Sequence, residues 1–537
     1  MSQAPVQLSA MAAEPWQPSA NRWLIALAVM SATFMEVLDT TVVAVALPHI
    51  AGSLSATPEE ATWSMTSYLV ANAIMLPATG WLSRMFGRTR LQQGCIAIFT
   101  LASLACGAAH SLTFLIIARV IQGFDGGALQ PIAQATLLES FPPAKRGVAM
   151  AIYGLGVVVA PIIGPTLGGW ITDSYSWRWV FYINLPVGII AITLIQAFVE
   201  DPPYIRNARA TRIDYIGLGL LALWVASLHI MLDRGQIEDW FSSPATCTLL
   251  VLALLGLAAF VIWELRAPEP IVNLRVLRNR NFATGTTLVT MVGMVMYGTV
   301  TLLPLFLQTL LGYPALQSGL AVSPRGIGAF ASVFLVGRLI GVVDERRLLP
   351  CGFLVLGYSA FALGNLNLQI GPANVIWANV INGLATGFIF VPLTTSAMGM
   401  LRNEEMGNAT GLYNLMRNIG GAAGIAIMTT FLARGAQVHQ TILVSHMTPY
   451  DSAYTQQLHT LQTTLAPVSG TYAAGQQAQA IMGEQLSRQA SLWAYVDDFR
   501  ILAILALACI PFTLLLRRLP HRKRGVQAAV ADIAASG

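Results

Sequence analysis

Residues Trp23 to Pro48 read WLIALAVMSATFMEVLDTTVVAVALP. The run is long enough to cross a bilayer, which takes about 20 mainly apolar residues. It is too long for the apolar stretch of a cleavable leader and is followed by more runs of the same kind. Inside it stand two acids, Glu36 and Asp39. An ionisable side chain at membrane depth costs at least about 2.5–3.5 kcal/mol and is rare unless it serves a pathway. A spacing of three puts both carboxylates on one helical face. A carboxyl group in low dielectric keeps its proton to higher pH than in water, so the pair suits proton binding and release. The alternative is a carboxylate permanently paired with a cation, locking two helices.

The same texture continues along the chain. Of 537 residues, 55% are hydrophobic and 10% charged, against about 25% charged in a soluble domain. Most of the chain is therefore expected to face lipid, and its 12 Trp and 46 Gly fit that class. About fourteen spans are predicted, at 23–46, 61–82, 91–110, 112–135, 147–170, 178–199, 213–232, 244–264, 284–310, 317–340, 348–369, 373–398, 410–433 and 499–518. The order is six, two and six. It divides the chain into an N-terminal tail (1–22), a six-helix bundle (23–200), two additional spans with linkers (201–283), a second six-helix bundle (284–520) and a C-terminal tail (521–537).

Lys and Arg gather in alternate connections: Arg84, Arg88 and Arg90; Lys145 and Arg146; Arg206, Arg209 and Arg212; Arg346 and Arg347; and the stretch from Arg517 to Arg524. By the positive-inside rule these connections and both termini are cytoplasmic. The net charge of +5 comes from these short clusters and does not point to nucleic acid. One connection breaks the pattern. Residues 434–498 form a long polar outside segment rich in Gln and Ala, helical by pattern over Ala473 to Tyr495, with Ile481, Met482, Leu486, Leu492 and Trp493 as apolar anchors. It is expected to meet a partner.

Further charges lie at membrane depth. The fourth span holds Arg119, whose guanidinium stays protonated, with Gln122 and Gly126 on the same face and Asp125 about a third of a turn away. Arg325 and Arg417 lie in later spans. Asp39, Glu36 and Arg119 are the candidates for proton coupling. Asp125, Arg325, Arg417 and Gln122 are candidates for an additional charge or substrate site, and Arg325 is a candidate ion-pair partner of Asp125. The fifth span has a small-residue ladder, Gly156, Ala160, Gly164 and Gly168, with Pro161 and Pro165 expected to bend it. That face reads as helix packing, and as a gate if the contact moves.

Together these segments resemble the major facilitator superfamily, in particular its fourteen-span drug:proton antiporters of the Emr type. The resemblance covers about residues 22–520. It is carried by Leu38-Asp-Thr-Thr-Val-Val-Ala-Val-Ala-Leu-Pro48, by Arg119 to Gly123, and by Ala160-Pro-Ile-Ile-Gly-Pro-Thr-Leu-Gly-Gly169. Trp177-Arg-Trp-Val-Phe-Tyr-Ile-Asn-Leu-Pro-Val-Gly188 and Pro392-Leu-Thr-Thr395 add to it. The loop Gly80-Trp-Leu-Ser-Arg-Met-Phe-Gly-Arg88 has Arg84 where the superfamily usually has Asp, as in Emr-type pumps, and its Gly80, Gly87 and Arg88 take gating positions. Ala44 replaces a common Asn, and Asp125 a small or apolar residue.

The resemblance implies an all-α integral membrane protein in which two six-helix bundles rock about a central cavity. It implies a multi-pass protein of the cell inner membrane that exports lipophilic or amphipathic drugs against protons. It further implies work with a periplasmic adaptor and an outer-membrane channel through 434–498. The alternative is a dedicated siderophore or metabolite exporter, or a proton-coupled importer of the same fold. The energy source is expected to be the proton motive force without a cofactor, since Lys145 and Lys523, the chain's two lysines, lie in no phosphate-binding loop. No HExxH, GxSxG or CxxC is present, and Cys95, Cys106, Cys247, Cys351 and Cys509 show no metal-ligand spacing. Neither an enzyme nor a metal site is expected.

Overall fold

In the computed structural model of the chain, the described residues are 18–142, 145–206, 214–339 and 343–517. Most of the N-terminal tail, Arg209 and Arg212, and the basic tail from Arg518 lie outside them. The described residues form helices and turns with no β-strand.

The first bundle contains α1 (Arg22–Ser53), α2 (Pro58–Phe86), α3 (Arg88–Gly107), α4 (Leu112–Ser140), α5 (Arg146–Ser174), α6 (Trp179–Tyr182) and α7 (Asn184–Phe198). After the single turn α8 (Pro203–Arg206) come α9 (Tyr215–Arg234) and α10 (Pro244–Arg266). The second bundle contains α11 (Arg280–Leu305), α12 (Ala315–Val322), α13 (Arg325–Leu339), α14 (Glu345–Leu363), α15 (Pro372–Met398), α16 (Asn403–Val444), α17 (Ser452–Ser469) and α18 (Thr471–Thr513). Starts follow local chemistry. Thr57 and Glu60 form a capping box with Pro58 at the first turn of α2, and Asp214, Asp344 and Asp451 accept first-turn amides of α9, α14 and α17.

Each expected span falls on a helix or a broken pair. The sixth is split into α6 and α7 at Ile183. The ninth ends in a π turn at Phe306–Leu310. The tenth is divided at Ser323 and Pro324 into α12 and α13, as expected where a proline removes a helical donor. Ten helical stretches are long and apolar enough to cross a membrane by length and composition. α2, α3, α14 and α18 are not among them; they carry polar groups such as Asn72, Gln92, Ser359 and Asp498, which are buried.

Small residues set the closest crossings, as expected where lipid removes any hydrophobic drive between helices. On α5, Gly156 lies against Met30, Gly164 against Thr41 and Gly168 against Val42, so the ladder packs on α1. Pro161 stands within the unbroken α5; the side chain of Pro165 lies outside the description. Gly123 and Gly127 of α4 meet the backbone of Tyr68 and Asn72 on α2, and Gly420 and Gly424 of α16 meet that of Thr290 and Met294 on α11.

The α9–α10 hairpin spans the seam between the bundles. Thr66 of α2 donates to Asp233 at 2.6 Å, His229 lies 3.3 Å from Asn418 of α16, and Trp240 donates to Thr430 at 2.9 Å. The bundles also touch directly. α16 packs on α2 and α4, and α5 packs on α12, α13 and α15.

The segment 434–498 differs from a loop. α16 runs unbroken for 42 residues to Val444, and α18 begins at Thr471 and runs 43 residues into the last span. At 1.5 Å per residue each is about 65 Å long, roughly twice the hydrocarbon thickness. Both therefore project beyond the membrane as a helical hairpin closed by α17. Its apolar residues are partly spent already: Leu492 is buried in the main hydrophobic core and is not a free anchor, whereas Trp493 is 44% exposed and lies 6.5 Å from the His439 ring. His439 and Asp497 tie the two helices at 2.8 Å.

Candidate functional site

Glu36 and Asp39 sit 14 and 17 residues into α1, about 21 and 25 Å from its start at 1.5 Å per residue. Both are buried. Although they share a helical face, they belong to different networks.

Asp39 is enclosed by the first bundle. One carboxylate oxygen takes a 2.5 Å ion pair from Arg119 Nη1. The other accepts from Gln122 Nε2 at 3.0 Å and Asn184 Nδ2 at 2.7 Å. Arg119 is itself saturated: Nε donates to the Ser64 carbonyl at 3.0 Å, Nη1 also reaches Gln122 Oε1 at 2.7 Å, and the guanidinium lies 4.2 Å over the Tyr68 ring. Asn184 continues to Ser103 at 2.9 Å. Five helices thus converge on one ion pair from which solvent is excluded. A buried pair repays its desolvation only when its remaining donors and acceptors are satisfied, and here they are.

Glu36 faces the seam and meets neutral donors. Asn72 Nδ2 donates at 3.0 Å, Gln130 Nε2 at 2.8 Å, and the Tyr68 hydroxyl stands at 3.4 Å. The other end of the Gln130 amide accepts from Arg417 Nη2 of α16 at 2.6 Å and from the Tyr153 hydroxyl of α5 at 3.3 Å. One amide therefore joins the carboxylate of one bundle to the guanidinium of the other. Tyr68 touches both networks.

The remaining candidates are dispersed. Asp125 faces Cys95 of α3. No ion pair joins Asp125 to Arg325, because Asp125 turns toward α3 while Arg325 opens α13 in the second bundle. Arg325 is buried, its Nε has no partner, and it makes no ion pair.

The loop motif anchors the end of the first bundle. Arg88 pairs with Glu139 through two bonds of 2.6 and 3.0 Å. Gly87 takes φ +84°, left-handed backbone that favours glycine, and Thr89 binds Asp201 through backbone and side chain at 2.8 Å. Arg84 is exposed. Gly80 lies against Gly407 and Asn408 of α16. Further bonds cross the seam nearby: Arg146 to Asn403 at 3.0 Å, Thr410 to the Pro131 carbonyl at 3.3 Å and Asn414 to Gln134 at 2.7 Å. Among the described residues no group of His, Cys, Asp and Glu is placed to hold a metal ion.

Sequence reading did not find Asn72, Gln130, Gln134, Asn184 or Glu139. A signal was present for two of them. Gln122, Gly126, Gln130 and Gln134 recur every four residues, a polar stripe down one face of α4.

A family model for the Major Facilitator Superfamily matches residues 29–425. The fatty acid resistance protein FarB of Neisseria gonorrhoeae is 37% identical over 499 residues, covering 93% of this chain and 96% of its own length. The multidrug export protein EmrB of Escherichia coli K12 is 37% identical over 472 residues, covering 87% and 90%. The colistin resistance protein EmrB of Acinetobacter baumannii is 30% identical over 504 residues, covering 93% and 97%. The crystal structure of the human organic anion transporter MFSD10 aligns with TM-score 0.57 at 14% identity, covering 91% of this chain and all of that one, a likeness of fold.

Proposed function

Since the chain belongs to the major facilitator superfamily, we propose that it is a multi-pass inner-membrane exporter of lipophilic and amphipathic drugs, driven by protons entering in exchange. The export reading is supported by the similarity to proteins named for multidrug export and for fatty acid and colistin resistance. Proton coupling rests on the site. The observation that carries it is the Gln130 amide, bonded at once to Glu36 and to Arg417 across the seam.

In this reading Asp39 and Arg119 form the fixed polar core of the first bundle, and the proton arrives at the Asp39–Glu36 face. Protonation of Asp39 removes the charge that holds Arg119. The guanidinium then keeps only the Ser64 carbonyl, Gln122 and the Tyr68 ring, and the tie through Asn184 to α3 and α7 slackens. Protonation of Glu36 removes the anion that orients the Gln130 amide, freeing Arg417 to leave the first bundle. Tyr68, within reach of both, couples the two events. The gate is the seam itself, where Gly80, Gly87 and Arg88 hold the loop end and Gly156, Gly164 and Gly168 hold α5 on α1. Asp125 and Gln122 modulate the field around this core.

Each proton driven inward gains roughly 2.3 kcal/mol per 100 mV, enough for about a fiftyfold substrate gradient at that voltage. Both termini are cytoplasmic in this reading. The α16–α18 hairpin lies outside, where it docks a periplasmic adaptor leading to an outer-membrane channel. That arrangement denies the expelled compound re-entry to the inner membrane.

The test is drug-driven proton release from proteoliposomes. Asp39→Asn is expected to retain drug binding and lose proton release. Normal release from that variant removes Asp39 from the coupling machinery.

A further inference from the structure

A strap of residues 267–279 joins α10 to α11. Its Ile271 and Val272 are each 1% exposed and belong to the main hydrophobic core, so the strap is seated rather than loose. Asn273 is held twice by one side chain of α16. Its amide donates to Asn408 Oδ1, and Asn408 Nδ2 donates to its carbonyl, both at 3.0 Å. Asn408 is also the residue whose backbone meets Gly80 of α2. The strap therefore grips the second bundle at the point where that bundle touches the first.

One residue earlier, the Val272 amide donates to Glu264 Oε2 at 3.2 Å. Glu264 lies in the last turn of α10, is 2% exposed, and its Oε1 has no hydrogen-bond partner among the described residues. That orphan oxygen lies 2.7 Å from where a Cβ on Gly217 of α9 would stand. Asp214 Oδ2 lies nearer still, so the two carboxylates are within twice that distance of each other. Asp214 is itself engaged by the Gly217 amide at 2.8 Å and by Trp263 Nε1 at 2.9 Å. Arg266 on α10 and Arg275 and Arg278 on the strap are exposed, and none forms an ion pair with either acid. Arg84 of α2 is within electrostatic reach of Glu269 on the strap, and Asp233 and Arg234 stand at the other end of α9. An ionised carboxylate buried with one amide and a second carboxylate beside it is unfavourable, and the neutral acid fits the same seat. A tie to a single amide needs only a neutral acceptor, so an acid in this place is accounted for by a proton that comes and goes.

We propose that Glu264 is a proton-binding site, separate from Glu36 and Asp39, that governs a latch made by Val272, Asn273 and Asn408. With the proton bound, Glu264 keeps its seat, the strap holds Asn408, and α16 rests on Gly80. With the proton lost, the anion leaves for water, the Val272 tie goes with it, and Asn408 is freed. By linkage, protons on the strap side favour the closed seam by the same factor as the seat favours the proton. The consequence rests on the export reading above, which puts the strap in the cytoplasm. Protons carried inward by exchange then gather on the strap side and tighten the latch, so acidification slows further loading.

The test is amide hydrogen exchange of the strap in the full-length protein in nanodiscs, at about pH 5.5 and about pH 8, corrected for the intrinsic rate at each pH. Protection of Val272 and Asn273 in the native protein is expected to fall about tenfold or more as the pH rises. A fall of that size follows when the seated acid binds its proton at least about tenfold more tightly than the released one. Glu264→Gln, a lasting mimic of the neutral acid, should stay protected at both pH values. Asn408→Ala should lose the protection of Asn273 at both, and Glu36→Gln should keep the native pH dependence. Thermal melting shows that the variants fold. Equal protection of the native strap at the two pH values overturns the proposal, as does a pH-dependent loss that persists in folded Glu264→Gln. Drug-driven proton release separates the two readings. Intact release with a strap indifferent to pH overturns this inference alone, whereas a pH-sensitive strap in a protein without release overturns the export reading and leaves the latch standing.

Discussion

Gly80 of α2 lies so close to Asn408 of α16 that a Cβ added to it would stand 2.6 Å from the Asn408 backbone nitrogen. The obstacle is backbone, which cannot swing aside. Gly80→Val should therefore wedge the bundles apart at that end. In a background lacking the native cysteines, Thr410→Cys, buried at 0% exposure, should react with a small thiol reagent about tenfold faster when Gly80→Val is present. Such a change corresponds to a population shift of about 1.4 kcal/mol. An unchanged rate excludes the contact as a closure point.

Arg88 and Glu139 are a buried bidentate pair with 5% and 2% side-chain exposure. Breaking such a pair from one side leaves a charge without a partner and costs about 3–5 kcal/mol. Glu139→Gln should lower the detergent-solubilised melting temperature, and Arg88→Met with Glu139→Leu should recover much of the loss. Melting of the single and double variants measures both.

Arg119 anchors Asp39 through one of its nitrogens and Ser64 through another. Arg119→Lys keeps the charge but not the planar fork. Transport by this variant should fall well below half of the native rate. The drug-binding pH profile should move as well, as read by tryptophan quenching. A native profile would leave Arg119 as scaffold.

Orientation can be read directly. Gln457 on α17 and Arg347 on α14 are both exposed to solvent. Single cysteines placed there should differ in intact cells: position 457 labelled by an impermeant thiol reagent, position 347 protected until the membrane is opened. The opposite pattern inverts the topology.

Deleting about 455–490, most of the α17–α18 hairpin, should spare insertion and drug binding while abolishing resistance in cells and co-purification with an adaptor. An undiminished pull-down would place the dock on other outside surfaces.

The spans were legible because lipid imposes a simple demand, about 20 apolar residues satisfied within one helix, and the run around Asp39 announced its charges by their cost. Faces were legible from spacing: Gly156, Gly164 and Gly168 do pack together on α1. Partners were not. Arg325 and Asp125 have opposite charges and similar burial, yet Asp125 turns to Cys95 and Arg325 stays in the other bundle, because period reports which residues share a face and not which face meets which. The same limit hid Gln130, a neutral side chain whose importance lies in what stands on either side of it. Of the hairpin, the helix over Ala473 to Tyr495 was legible, whereas the continuation of α16 to Val444 and the helix α17 were not, because polar residues hide a helix's continuation once the apolar run stops. Helix formation needs no apolar face where Ala and Gln propensity suffices.

α16 has one further consequence. It is a single rod with Asn408 near one end, Arg417 a third of the way along and the hairpin at the other. A stiff rod of about 63 Å pivoting about its middle by roughly 10° carries each tip about 5 Å. In the cycle proposed above, whatever grips the far tip is moved by every turn of the seam, and a partner that holds the tip still slows the cycle in return. On that reading the hairpin is a lever, and its load is felt at the gate.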